Sequence, residues 1–131
     1  MIMTETQPVT LQRIGQIAVP VKDLQRATAF YRDVLNLRLL LDVPGMAFFD
    51  IGGVRLMLSV PESPEFDHRA SILYYEVPDI AAAHAQLESR GVPFLRPPHM
   101  IADMGAVELW MAFFRDPDGN VLALMCEKPK R

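Results

Sequence analysis

The sequence predicts an α+β fold built from two βαβββ modules whose mixed sheets curl around a cleft. Three observations carry this. The hydrophobic pattern runs strand, helix and then three strands, twice in succession, along 131 residues. Met46-Ala47-Phe48-Phe49 recurs as Met111-Ala112-Phe113-Phe114, each time before a glycine turn and an apolar strand. Val21 and Asp23 ahead of the first helix recur as Val77 and Asp79 ahead of the second, at a constant offset of 56 residues. A repeated unit that cannot bury its sheet face alone gains a core by pairing with its copy.

Each element has a local reason. Residues 13–21 alternate, with Ile17, Val19 and Val21 on one side and Gln16, Ala18 and Pro20 on the other. That is strand period. Asp23 is a good N-cap, and Leu24, Ala27, Phe30, Tyr31, Val34 and Leu35 form one apolar helical face over residues 24–35. Asn36 follows where a left-handed residue ends a helix. Residues 37–42 are an apolar strand and Pro44-Gly45 a turn. Residues 46–51 and 54–60 flank Gly52-Gly53 as a hairpin. Residues 61–70, with two prolines and mixed charge, are a surface connection.

The second module repeats the order. A strand is expected at 71–77, a helix capped by Asp79 at 80–90, and its stop at Gly91. Residues 92–95 are a short strand interrupted by Arg96-Pro97-Pro98, which leaves His99 in a loop. Residues 108–115 and 120–126 form a hairpin around Asp116-Pro117-Asp118-Gly119. Residues 1–11 are expected to be a flexible N-terminus and 128–131 a basic, disordered tail. Between them lies one domain, 12–127, made of module 12–60 and module 70–127.

Composition narrows the function classes. Half the residues are hydrophobic and 22% charged, a globular balance that can form a core. A net charge of −3 offers no basic footprint for nucleic acid. The single cysteine, Cys126, excludes an internal disulfide framework and suits a reducing compartment. No apolar run approaches the roughly 20 residues that cross a bilayer, and residues 1–7 lack the pattern of a secretory signal. A cytoplasmic protein with no membrane and no nucleic-acid partner is the expectation.

Two stretches carry a family resemblance. Q-I-A-V-P-V-K-D-L-Q-R-A-T-A-F-Y-R-D-V-L-N-L resembles the opening module of the vicinal oxygen chelate superfamily. F-F-R-D-P-D-G-N-V-L-A-L resembles its closing hairpin. The group includes glyoxalase I, bleomycin-resistance proteins, fosfomycin-resistance enzymes and extradiol dioxygenases, and the resemblance spans residues 13–127. It implies the glyoxalase-like fold and a homodimer with paired modules. In the superfamily's enzymes a divalent metal is held by the first and last strand of each module, typically by His or Gln and then Glu.

By motif those four positions fall on Gln16, Met57, Ile72 and Ala123. Gln16 offers an amide oxygen, Met57 only a soft thioether, and Ile72 and Ala123 no donor at all. Catalytic zinc needs three protein ligands and structural zinc four. No metal and no other cofactor is therefore expected. Glyoxalase I or extradiol dioxygenase activity, which needs the metal as Lewis acid, is disfavoured.

If the family's cleft faces the side of those positions, Gln16, Arg55, Met57, Ile72, Tyr74 and Ala123 line it, with Trp110 at rim or floor depending on register. The same residues could equally fill a core between sheets. Glu108, in the otherwise apolar A-V-E-L-W-M-A-F-F, is the one candidate catalytic base and a candidate ligand contact. It could equally sit solvated, or paired with an arginine, at the strand's open end. Cys126, Ser59 and Ser71 lack the context of an activated nucleophile. Three readings stay open. The first is a binder of a small, partly apolar ligand with a degenerate metal site. The second is a small lyase or isomerase with Glu108 as base and a relocated metal at Gln16, His99 and Glu108. The third is an interaction module with a filled cleft.

Overall fold

The computed structural model describes residues 12–69 and 71–130. The stretch 1–11, expected to be a flexible arm, lies outside the described residues, as does Arg131. The first module contains β1 (Gln16–Pro20), α1 (Leu24–Ala29, continued by a π-helical turn Phe30–Val34), β2 (Arg38–Val43), β3 (Met46–Ile51) and β4 (Val54–Ser59). The second contains β5 (Leu73–Glu76), α2 (Ile80–Ser89), β6 (His99–Asp103), β7 (Val107–Arg115) and β8 (Val121–Pro129). Strand order is β1-β4-β3-β2 in one sheet and β5-β8-β7-β6 in the other. In each, the first strand runs parallel to the last and the remaining pairs are antiparallel.

The repeat extends to fine geometry. Asp23 Oδ1 accepts from the Arg26 N–H, and Asp79 Oδ1 from the Ala82 N–H, both at 3.1 Å. Each caps an otherwise orphaned donor of the first turn. Asn36 ends the first helix with φ 60° and Gly91 the second with φ 86°, the left-handed conformation that reverses the chain there. Both outer strands carry a register shift at their third residue, between Leu39 and Leu41 in β2 and between Met100 and Ala102 in β6. A bulge there lets two consecutive apolar residues point outward, so Leu40, Leu41, Met100 and Ile101 are all exposed.

Four sequence expectations are corrected. Residues 13–15 precede β1 instead of starting it, and 92–95 contributes only an isolated bridge from Phe94 to Phe114. His99 opens a strand, because the proline pair ends before it and Met111 offers a ladder partner. Lys128 belongs to β8, which continues through Pro129 opposite Val107. Beyond it Lys130 Nζ meets both Asp103 carboxylate oxygens at 2.9 Å, so the basic end is anchored at the β6–β7 turn.

Both modules contribute to one core. Val19, Val21, Ala27, Tyr31, Phe49, Leu56 and Leu58 from the first join Ile80, Leu87, Val92, Ala112, Phe114, Leu122 and Leu124 from the second. These are the faces that the helices cover. Strand alternation then turns the opposite faces of both sheets away from the shared core. Polar bonds fix the junction. Tyr31 Oη donates to Asp116 Oδ2 at 2.8 Å, and Asp116 also accepts from the Asp118 and Asn120 N–H groups and from Asn120 Nδ2, each at 2.9 Å. Lys22 N donates to Asp118 Oδ1 at 2.8 Å, and Arg90 Nη1 to the Val34 carbonyl at 2.8 Å.

Candidate functional site

Gln16 and Arg55 are direct neighbours across the parallel β1–β4 pair, on the face away from the core. Arg55 Nε donates to Gln16 Oε1 at 2.7 Å, and Gln16 Nε2 lies 3.8 Å from Met57 Sδ. The guanidinium carbon stands 5.2 Å from the Phe48 ring centroid, within cation–π range. Gln16 and Arg55 are exposed, whereas Met57 and Phe48 are half-buried. An open hollow of about 570 Å³ lies beside them, lined by Arg13, Gln16, Leu40, Asp50 and Arg55 among others. Among the described residues no carboxylate comes within ion-pair distance of Arg55. A cation is thus held in place by a neutral amide, on a side chain that stays exposed.

The equivalent face of the second sheet is built differently. Tyr74, Ala123 and Phe113 form one rung across β5, β8 and β7. The Tyr74 and Phe113 rings meet edge to face, centroids 6.0 Å apart, and Ala123 between them is 0% exposed. The matching rung of the first sheet is Ala18, Met57 and Phe48. Small and large are exchanged between edge and centre. Where the family's enzymes carry a carboxylate, this chain carries a methyl group roofed by two aromatic rings. Ile72, at the head of β5, is 44% exposed.

The metal the family implies does not fit these residues. Gln16 Oε1 is already occupied by the Arg55 donor, and a guanidinium beside it repels a cation. Met57 offers sulfur, and Ile72 and Ala123 offer nothing.

Glu108, Trp110 and His99 lie elsewhere. Glu108 and Trp110 share the core-side face of β7 with Ala112 and Phe114, opposite to Phe113. Trp110 Nε1 donates to Glu108 Oε1 at 3.1 Å, and Lys128 Nζ sits 4.1 Å from the Trp110 ring centroid. Glu108 is therefore a partner of tryptophan on the other side of the sheet from Ala123, and Trp110 is neither rim nor floor of the cleft face. His99 contacts Arg96 Nη2 through Nε2 and lies 3.1 Å from the Pro97 carbonyl through Nδ1. Gln16, His99 and Glu108 thus each engage different neighbours. Among the described residues no three His, Cys, Asp or Glu side chains gather as a metal would need.

Nor does one chain bring the two halves of the expected site together. The hollow at Gln16 and Arg55 takes no residue of the second module. A crevice that reaches Ile72 and Tyr74 takes none of Gln16, Arg55, Met57 or Ala123. Two residues the sequence reading passed over, Phe48 and Phe113, prove central to these faces. Their signal was present in the repeated Met-Ala-Phe-Phe, since a core Phe49 or Phe114 forces its predecessor outward.

Solved structures share this architecture. The chain superposes with a TM-score of 0.74 on a lactoylglutathione lyase from Agrobacterium tumefaciens, 24% identical, covering 89% of this chain and 95% of that one. A glyoxalase/bleomycin resistance protein/dioxygenase superfamily member from Sphaerobacter thermophilus gives 0.73 at 24% identity, covering 89% and 98%. An integron cassette protein from the mobile metagenome of V. Cholerae gives 0.72 at 20%, covering 92% and 98%. At these identities the likeness speaks for the fold alone. No curated protein matches the chain. The family model for the superfamily matches residues 13–124, nearly the whole of both modules, and the chain accordingly belongs to the glyoxalase/bleomycin resistance protein/dioxygenase superfamily.

Proposed function

We propose that this protein binds a small, partly apolar molecule without a metal, between the first sheet of one copy and the second sheet of another. The observation that carries this reading is the Arg55–Gln16 pair. An exposed guanidinium fixed by an amide, backed by Phe48 and lacking a carboxylate partner, is built to meet something outside its own chain. The aromatic roof of Tyr74 and Phe113 supplies the apolar half of such a cleft. Pairing of two copies is supported by the apolar residues left exposed on both outer strands, Leu40, Leu41, Met100 and Ile101.

The lyase or isomerase reading loses its support, since Glu108 is engaged by Trp110 on the opposite face. A filled interaction module draws only on the closed rung over Ala123. The test is a small-molecule library screened by thermal shift against wild type, Arg55→Ala and Gln16→Leu. Binding to the native state raises its melting temperature. Compounds that stabilise wild type should lose their effect in both variants, while urea unfolding of Gln16→Leu stays within about 0.5 kcal/mol because the amide is exposed. Light scattering should give about twice the 14.8 kDa chain mass. Hits that stabilise all three proteins equally, or a monomeric mass, would count against the reading.

A further inference from the structure

On the outer face of the first sheet the charges are confined to one rung, Gln16–Arg55–Asp50–Arg38 across β1, β4, β3 and β2. The next rung along the strands is Ala18–Met57–Phe48–Leu41, and the one after it Pro20–Ser59–Met46–Val43. Neither carries a charge. Arg55 and Gln16 reach forward from the first rung to the second. The guanidinium carbon lies 5.2 Å from the Phe48 ring centroid, and Gln16 Nε2 lies 3.8 Å from Met57 Sδ. The cation therefore borders the uncharged rungs. Asp50 starts from the first rung and makes no ion pair with Arg55, so an anion approaching from the uncharged rungs meets the guanidinium before it meets Asp50.

Among the described residues Arg55 hydrogen-bonds through Nε alone, to Gln16 Oε1. That leaves its two Nη groups, and paired guanidinium donors suit a carboxylate held by two parallel bonds. Beside them there is room for a ring. Ala18 is exposed on β1, where the matching residue of the second sheet, Tyr74, sets its ring edge to face against Phe113. The first sheet thus has a methyl group where the second has a phenol, and the neighbouring Met57 thioether is a favourable contact for an aromatic edge. Met46, on the third rung, is 37% exposed and extends the apolar surface. We infer that the molecule bound at the Arg55 face is an aromatic monocarboxylate, with its carboxylate on the two Arg55 Nη groups and its ring over Ala18 against Met57. This rests on the binding function proposed for that face and adds the ligand's chemical class. A cation at the border of two uncharged rungs recognises one negative charge with an apolar body beyond it.

The probe is hydrocinnamate, whose two methylenes let its ring extend about one rung, ~6.6 Å along a strand, away from the carboxylate. It is titrated calorimetrically into the full chain, with hydrocinnamyl alcohol as the uncharged control. Wild type should bind the acid about tenfold more tightly than the alcohol, as a charge-assisted contact requires. Arg55→Gln should remove that difference and leave the alcohol's affinity within about twofold. Ala18→Phe, which puts a ring into the same space from an exposed position, should abolish binding of both, its unchanged urea midpoint showing that it folds. Arg38→Gln, on the first rung beyond Asp50, should bind as wild type does. No binding of the acid to wild type, equal binding of acid and alcohol, or undiminished acid binding by Arg55→Gln or by folded Ala18→Phe overturns the inference. The function it rests on survives those results if neutral or cationic compounds from the thermal-shift screen still depend on Arg55. It falls as well if no compound of any charge does.

Discussion

Tyr31 of the first module donates its hydroxyl to Asp116 of the second at 2.8 Å, and both residues are almost fully buried. Asp116 belongs to the Asp-Pro-Asp-Gly turn, whose next polar residue, Asn120, returns an amide to the same carboxylate and to the Pro20 carbonyl. One carboxylate thus ties the closing hairpin of module two to the helix and first strand of module one. Hydrogen bonds to a buried charged acceptor are the stronger kind, and losing a donor leaves the acceptor less well served.

Tyr31→Phe should therefore lower the unfolding free energy by about 1.5–3 kcal/mol while keeping the ring's packing against Phe49. A urea titration measures it. An unchanged midpoint would mean that the carboxylate finds another donor and that the modules are held by apolar packing alone.

Alkali should unfold the protein early. The pKa values of Tyr31 and Tyr75 are raised, first by burial and then by the Asp116 charge. Folded groups with raised pKa contribute full stability below the unfolded tyrosine value of roughly 10. Above it the unfolded chain ionises first and stability falls. Absorbance at the tyrosinate band should show these two phenols ionising only together with unfolding. Tyr75→Phe should soften the dependence with no loss at neutral pH, because its hydroxyl has no protein partner to strand. Ionisation of both phenols in the folded protein at pH 10 would refute the burial assigned to them.

Restoring the family's carboxylate should not restore a metal centre. Ala123→Glu would place a charged group beneath the Tyr74–Phe113 contact, where nothing pairs with it. We expect a loss of about 2–4 kcal/mol, in line with burying an unpaired polar group, and no recovery on adding Zn²⁺ or Mn²⁺. A metal-dependent rise in melting temperature in this variant would show that the donors can still assemble.

The wild-type protein should hold no stoichiometric metal. Gln16 Oε1 is committed to Arg55, and the other three family positions carry Met57, Ile72 and Ala123. Treatment with a chelator should leave the melting temperature unchanged, and elemental analysis should find well under one Zn, Ni, Fe or Mn per chain. One equivalent of tightly held metal would contradict the donor chemistry argued from these residues.

Local chemistry written along the chain determined the order of elements, both aspartate caps, the left-handed stop at Asn36 and the module repeat. Alternation along β4 also determined that Arg55 shares a face with Met57, whereas Gln16 joined them only through the family resemblance, and the β1–β4 register then set it directly beside Arg55. The lack of donors at Ile72 and Ala123 was legible from their hydrocarbon side chains once the family resemblance marked those positions. Tertiary structure alone decided the rest. Register in the β7–β8 ladder, Phe113 against Ala123, sent Glu108 and Trp110 to the core side. A ladder partner in β7 turned His99 from a loop residue into the start of a strand. Most of all, alternation says that each sheet has two faces but not which pair of faces will meet. Both helix-covered faces are the more apolar, so they bury against each other, and Gln16 and Ala123 end up on separate surfaces of one chain.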